Sequence, residues 1–511
     1  MVGWPVARTA PLLVFLLVFA FMFWLVGHRL ILSNNDEGIY LDAGRRVAAG
    51  QAPFLDFFYL SGPGTPWAMG VSMRLFGVNL PAARLLLMFD LSLMAALVFW
   101  MTRRLASSSS GAAFVAAFLF VGFSTAQPAV LLPNHRWDSG ALALAAVVLT
   151  WLCREQSRWW QAALAGFAVA AATWMTPSLA LLAFTLGAWF VLDRVLRPRA
   201  AVFLAAGFAG LLAGLLRLQA EGALTSMIDQ LYWIGRNYSG ANRMAYGQVI
   251  GGYGAILEGP TGIQLAVFLL LLLFFTIPAW LPIAATLGWL VRLRRTWSGA
   301  GPLRFQVPFL VTCGLVLIAV QAPRMDLPHL MFASPVYYAL AAALAARTLR
   351  RAPLTACAMV FLLAAGTYAA VACLTRLNEY PAQTRVGRAS MHLYEARWLT
   401  QLESHVQRGD SLFVFPYMPV FYFALDGRNP TRYCFLQPGM SSVEDEANVL
   451  ADLRRDPPQW VIHMSLKPED YLRIWPSSDR SRLRMSSIES FIATGYDDVT
   501  QAGPYTLKRR R

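Results

Sequence analysis

Asp36 and Glu37 are adjacent carboxylates that follow directly on an apolar stretch over residues 10–32. At a membrane–water boundary such a pair supports two chemistries. One carboxylate can take a proton from an acceptor hydroxyl as general base. Alternatively the pair can hold a divalent cation, Mg²⁺ or Mn²⁺, against a phosphate. Each residue also has a local explanation: Asp36 suits the N-cap of a following helix, and Glu37 is a charge that the helix dipole favours. A second cluster, Asn134-His135-Arg136-Trp137-Asp138, crowds polar and amphipathic residues into a short gap between apolar runs. Its plain reading is an Asp cap for the next helix and a Trp interfacial anchor. A third, Pro323-Arg324-Met325-Asp326-Leu327-Pro328-His329, leads straight into another apolar run. A guanidinium fork matches phosphate oxygens and does not lose its charge, which makes Arg324 a phosphate ligand candidate. The alternatives are an Arg324–Asp326 salt bridge and a snorkelling His329. The fourth, Tyr232-Trp233-Ile234-Gly235-Arg236-Asn237-Tyr238, places aromatics where they line a lipid or sugar groove or join an interfacial belt.

The elements that position these residues must lie in a membrane. The chain has 511 residues, 57% of them apolar and only 14% charged, against roughly 25% charged in soluble proteins. That composition excludes a soluble globular protein, a disordered chain and a collagen-like fibre. Five cysteines are too few and too scattered for a disulfide framework or a zinc cluster. About eleven apolar runs approach the ~20 residues that a bilayer requires. They lie near 10–32, 81–102, 111–131, 139–153, 159–175, 177–193, 200–219, 262–291, 305–321, 328–346 and 353–375. Pro278 and Pro282 predict a kink or strong tilt in the run 262–291.

The net charge of +15 is a topology signal rather than a nucleic-acid footprint. The first 375 residues carry 25 Lys+Arg against 12 Asp+Glu, whereas the tail is nearly neutral at 18 against 16. Arg8, Arg103/Arg104, Arg154/Arg158, Arg194/Arg197/Arg199, Arg292/Arg294/Arg295/Arg304 and Arg347/Arg350/Arg351 fall in alternate gaps, opposed only by Glu155 and Asp193. The positive-inside rule makes that face cytoplasmic, with the N-terminus inside and the tail outside. The first run, lacking a small-residue cleavage site, reads as a signal-anchor. Arg136, Arg236, Arg243 and Arg324 then lie on the outer side against the bias, and each needs a reason to be there. No GxxxxGK[ST] loop appears, which argues against an ATP-driven pump.

The first outer loop, 33–80, predicts a helix from Glu37 or Gly38 lying on the membrane surface. An aromatic interfacial patch at 53–59, a Gly62-Pro63-Gly64 break and a second short helix at about 65–76 follow. Gly240 and Gly247 to Gly254 read as a mobile loop. From residue 376 the pattern changes to a small α/β domain, with helices at Glu395–Val406 and Asp445–Arg454 and strands at Ser411–Phe415 and Trp460–Met464. The organisation expected is a membrane domain over 1–375 and an extracytoplasmic domain over 376–511. Cys434 is its only clear thiol, so no disulfide is expected there.

An acidic pair outside the first span, a surface helix, P-x-x-D-F-F, a G-P-G turn and a helix ending in L-F-G together resemble the GT-C superfamily of membrane glycosyltransferases. The resemblance is to the bacterial protein O-mannosyltransferases and the aminoarabinose transferases of lipid A. Its sharp motif covers about 45 residues, and Ser61-Gly62-Pro63-Gly64 stands where many members carry His-Pro-Pro. The resemblance implies a polytopic α-helical membrane protein of GT-C architecture in the bacterial inner membrane. It implies an inverting transfer of a sugar from a polyprenyl-phosphate-sugar donor to an envelope glycan, lipid or protein acceptor on the outer face. Asp36 falls on the catalytic base. Asp138 falls where a second acidic residue shares a metal with Asp36 and Glu37 or orients the acceptor, and His135 where phosphate is touched. R-x-D-x-x-H stretches like that of Arg324 and His329 recur in the related transferases, and the outer arginines, Arg136 and Arg236 among them, suit the phosphate that leaves. Two other readings compete. A transporter or flippase needs ionisable residues inside the spans, where Arg84 and Asp90 are the main exceptions. An O-antigen polymerase or ligase shares the large outer loops.

Overall fold

The computed structural model describes residues 4–33, 35–126, 131–249, 261–295, 302–349 and 351–511. Each of the eleven apolar runs is occupied by a helix or a bent helix pair. In chain order they are α1 (Trp4–Val26), α4 (Leu80–Leu105), α5 (Ser110–Ser124), α6 (His135–Gln156), α7 (Trp159–Met175), α8 (Ala180–Leu192) and α9 (Ala200–Ala220). Then come the pair α11 (Gly262–Phe275) and α12 (Ile277–Arg295), α13 (Leu303–Ala319), the pair α14 (Leu327–Ala333) and α15 (Pro335–Thr348), and α16 (Arg351–Leu377). Among the described residues five helices are long and apolar enough to cross a membrane, or seven if each bent pair is one span. Further apolar helices at Ser110–Ser124, Pro177–Leu192 and Leu303–Ala319 are shorter. The chain is a multi-pass membrane protein. The expected kink is present: α11 and α12 meet at 66°, where Pro278 at the start of α12 offers no N–H to continue the preceding turn.

Small residues let α7 and α9 pack backbone to backbone. A Cβ on Gly166 would lie 2.4 Å from the Phe203 carbonyl oxygen, so glycine is what permits the approach. The basic loops gather at one end of the bundle. Arg104 pairs with Glu155 at 2.9 Å and Arg154 with Asp193 at 3.0 Å, so the two acidic residues there are charge partners. Arg199 donates to the Ser157 carbonyl and Arg347 to that of Leu105. Arg350 and residues 250–260 lie outside the described residues.

The opposite end carries an outer layer built from two distant parts of the chain. α2 (Asn35–Ala48) and α3 (Gly64–Phe76) come from the first loop, and α10 (Leu224–Trp233) from the loop after α9. The tail adds a hairpin, β1 (Tyr380–Thr384) and β2 (Gly387–Met391), and the helix α17 (Leu393–Glu403). Its sheet is four-stranded, in the order β3 (Leu412–Phe415), β4 (Trp460–Met464), β6 (Tyr505–Arg510), β5 (Tyr496–Ala502). β3 and β4 are parallel and the other pairs antiparallel. The helices α18 (Val420–Ala424), α19 (Val443–Arg455), α20 (Pro468–Ile474) and α21 (Ser486–Gly495) complete it.

Three expectations about the first loop are corrected. The first helix ends at Val26, not near 32: Leu30 N–H donates to the Ser390 carbonyl and Ser390 N–H to that of His28. Leu30 and Leu32 are fully buried in the core shared with the tail rather than in lipid. α2 begins at Asn35 and does not lie free on the membrane surface. It is covered by α18, so closely that a Cβ on Gly38 would lie 2.0 Å from the Val420 nitrogen. The aromatics at 53–59 are not an interfacial patch. Phe54, Phe57, Phe58 and Tyr59 are all buried, and Phe58 stacks on Tyr433 at 5.2 Å.

Candidate active site

Between the helix bundle and the outer layer lies a cavity of about 610 Å³. The first loop, the starts of α6 and α14, the segment after α10 and the tail all contribute to its wall. Asp36 is placed there by α2, in whose first turn it stands, so it lies inside the helix rather than capping it. Its Oδ1 accepts a hydrogen bond from the Tyr417 hydroxyl at 2.8 Å. Burial, with the Asp36 charge added to it, pushes the Tyr417 hydroxyl well above the usual tyrosine range, so it remains a proton donor.

Glu37, one residue on, points the other way. It is fully buried and accepts from Arg84 Nε at 2.8 Å. Arg84 also donates to the Val26 carbonyl at the end of α1. Glu37 does not line the cavity; it ties α2 to α4. The ionisable Arg84 inside a span is thereby accounted for as a structural ion pair.

In the 134–138 cluster, Asn134 rather than Asp138 caps α6, accepting from the Arg136 N–H at 2.8 Å. His135 and Arg136 line the cavity. His135 Nδ1 lies 2.7 Å from the Thr176 hydroxyl and 3.1 Å from that of Ser61. Arg136 donates to Gln321 Oε1 at 2.6 Å, which joins this loop to the one bearing Arg324. Asp138 is buried beneath, against the Thr65 hydroxyl and Asp90, and is not part of the cavity wall. The Ser61-Gly62-Pro63-Gly64 turn is pressed on the end of α7, where a Cβ on Gly62 would meet the Trp174 carbonyl oxygen at 2.0 Å.

Arg324 and His329 both reach the cavity, and Asp326 organises them. Asp326 caps α14 by accepting from the His329 N–H at 3.2 Å, contacts the His329 ring, and pairs with Arg324 Nε at 2.8 Å. Burial opposes ionisation of Asp326, but His329 and Arg324 outweigh it and hold its carboxyl below the usual range. Arg324 Nη1 donates to Asn242 Oδ1 at 3.2 Å, leaving Nη2 outside both bonds. The loop is braced by backbone bonds to residues 244–248, such as Met325 N–H to the Met244 carbonyl at 3.2 Å. Tyr238 lines the cavity at the end of a π-helical turn, Ile234–Tyr238. Arg236 in the same turn is exposed and is not in the wall.

The structure therefore gathers Asp36, His135, Arg136, Tyr238, Arg324 and His329, and leaves out Glu37, Asp138 and Arg236. Asp36, Glu37 and Asp138 do not converge, and among the described residues no three metal-ligating side chains form a group. The reading of the sequence missed Tyr40, Thr176, Gln437 and Trp475, all in the wall, and the bond from Tyr417. Nothing local marks them, because their relation to Asp36 exists only in the folded chain.

No family model matches the chain, and no curated protein matches it by sequence. Solved structures do. ArnT from Cupriavidus metallidurans bound to undecaprenyl phosphate superposes with a TM-score of 0.53 at 13% identity, covering 98% of both chains. The apo state of the same protein gives 0.55 at 14% identity, again over 98% of both. Arabinosyltransferase EmbB from Mycobacterium smegmatis is more distant, with a TM-score of 0.37 at 14% identity over 72% of this chain and 41% of that one. Over 98% of its length the chain has the fold of ArnT.

Proposed function

We propose that the protein transfers a sugar from a polyprenyl-phosphate-linked donor to an acceptor hydroxyl at the outer face of a bacterial inner membrane. One observation carries the reading. A cavity at the end of the bundle away from the basic loops holds a carboxylate, Asp36, with Arg136 and Arg324 in the same wall. That is the complement a single displacement needs. Asp36 takes the proton of the acceptor hydroxyl, whose oxygen forms a bond to the anomeric carbon as the carbon–phosphate-oxygen bond breaks. The leaving polyprenyl phosphate carries negative charge, which the guanidinium groups stabilise. One displacement inverts the anomeric centre. ArnT, whose fold the chain shares, has been captured with undecaprenyl phosphate, which supports a lipid phosphate as the donor's carrier. The basic end of the bundle, by the positive-inside rule, supports a cytoplasmic N-terminus and an extracytoplasmic tail.

The test uses cells lacking the protein, restored with wild type or with Asp36→Asn at equal membrane levels, and mass spectrometry of the envelope lipids. The expected result is that Asp36→Asn matches the deletion, with one sugar mass missing from a glycoconjugate and a polyprenyl-phosphate sugar accumulating. Full restoration by Asp36→Asn would remove Asp36 as the base. A deletion that changes no glycan would remove the transferase reading.

A further inference from the structure

The tail does more than cover the bundle. Three of its side chains, Tyr417, Gln437 and Trp475, enter the wall of the cavity that holds Asp36. Trp475 is held by its neighbours: Tyr417 packs edge-on at 5.4 Å and Tyr471 stacks at 6.3 Å. Phe435 buttresses Tyr417 from another side at 5.1 Å. Gln437 is 3% exposed, and its side-chain amide nitrogen has no hydrogen-bond partner among the described residues. A buried N–H₂ with no acceptor is unfavourable, and this one belongs to a residue of the cavity wall, where a turn of the side chain brings it to a ligand oxygen. Flat aromatic faces beside a few fixed polar groups are how ring-shaped polar ligands are held.

We propose that the tail builds a sugar subsite on this wall, with Trp475 as the ring-stacking face, Gln437 as the donor to a sugar hydroxyl and Tyr417 joining the subsite to Asp36. It rests on the transferase reading only for what the sugar does next. The ring bound there belongs to the donor or to the acceptor.

The test uses the full-length protein in detergent and native mass spectrometry. The probes are undecaprenyl phosphate without sugar, the polyprenyl-phosphate fraction from cells lacking the protein, and the separate glycolipid fraction from the same cells. Wild type is expected to retain a sugar-bearing species, and the fraction that supplies it identifies donor or acceptor. Trp475→Leu and Gln437→Met should each lose that species at least tenfold while keeping undecaprenyl phosphate, and Trp475→Phe should restore part of it. Gln437→Met carries a control that a purely structural role would not pass. Removing an unpaired buried amide should leave the ligand-free melting temperature unchanged or higher, with only the ligand-induced rise lost. Retention by both variants at wild-type level, equal loss of bare undecaprenyl phosphate, or no sugar-bearing species on wild type would each overturn the subsite. Wild type that ignores undecaprenyl phosphate but holds a Trp475-dependent glycan would remove the lipid-phosphate donor and leave the subsite standing.

Discussion

Asp36 and Glu37 share a helical turn and part at their side chains, because successive residues on a helix point about 100° apart. One faces a cavity and a tyrosine, the other a buried arginine. A general base, the role proposed for Asp36, has to be held in place before it can act, and the Tyr417 hydroxyl is the group that holds Asp36. Hydrogen bonds to ionised groups contribute about 1.5–3 kcal/mol, so Tyr417→Phe should slow sugar transfer roughly tenfold to a hundredfold without unfolding the protein. The pH behaviour follows from the direction of the Tyr417 shift. Its hydroxyl is raised well above 10, so it stays protonated as pH rises through 9 and its bond to Asp36 persists. The ratio of wild-type to Tyr417→Phe rates, measured in membranes supplied with the donor fraction, should therefore be flat from about pH 6.5 to 9. A ratio that falls toward the alkaline end would mean that the hydroxyl ionises in that range, and a ratio near one throughout would remove the positioning role.

Among the elements, what was legible in the sequence was what burial writes locally. The apolar runs announce helices by length alone. β3 and β4 were legible because Leu412–Phe415 and Trp460–Met464 are short runs buried almost throughout. β5 and β6 were not, since Tyr496–Ala502 and Tyr505–Arg510 carry the consecutive charges Asp497-Asp498 and Lys508-Arg509, which break the apolar alternation. The hairpin β1–β2 is polar as well. The 134–138 and 323–329 clusters were legible as chemistry because polar residues between apolar runs are dense there. Glu37 misled because its partner, Arg84, is 47 positions away. That pair predicts a measurable split between structure and catalysis. Removing one member of a buried ion pair costs about 3–5 kcal/mol, whereas replacing both by apolar groups is near neutral. Glu37→Ala should lower the melting temperature and membrane level, and Glu37→Ala with Arg84→Met should recover both along with transfer. If the double variant folds but transfers nothing, Glu37 has a catalytic task that its position does not explain.

For the molecule as a whole, the question is whether the tail is an appendage or part of the unit that forms the cavity. Composition draws a boundary near residue 376, but packing does not respect it. Leu30, Ile39 and Phe54 from the first loop lie in one core with Val420, Phe421 and Ile462 from the tail, and Phe58 lies in another with Phe415 and Tyr433. Ion pairs and hydrogen bonds cross as well. Arg29 pairs with Glu379, Arg45 with Asp426 at 3.2 Å, and Arg432 donates to the Phe54 carbonyl at 2.7 Å. Exposing a buried Leu, Ile or Phe costs about 1.5–3 kcal/mol. Those four loop side chains alone then represent roughly 6–12 kcal/mol, against a whole-domain stability of about 5–15 kcal/mol. The first loop accordingly cannot keep its shape, nor α2 hold Asp36 in the cavity, once the tail is gone. Residues 1–375 expressed alone should give a first loop open to protease, with cleavage within 33–80, and no transfer in the deletion strain. A nick introduced at residues 378–379 of the intact protein should behave differently, because the shared cores keep the halves together and transfer continues. If instead residues 1–375 alone protect the first loop and restore the glycan, the tail is dispensable, and the side chains it lends to the cavity serve neither Asp36 nor the sugar.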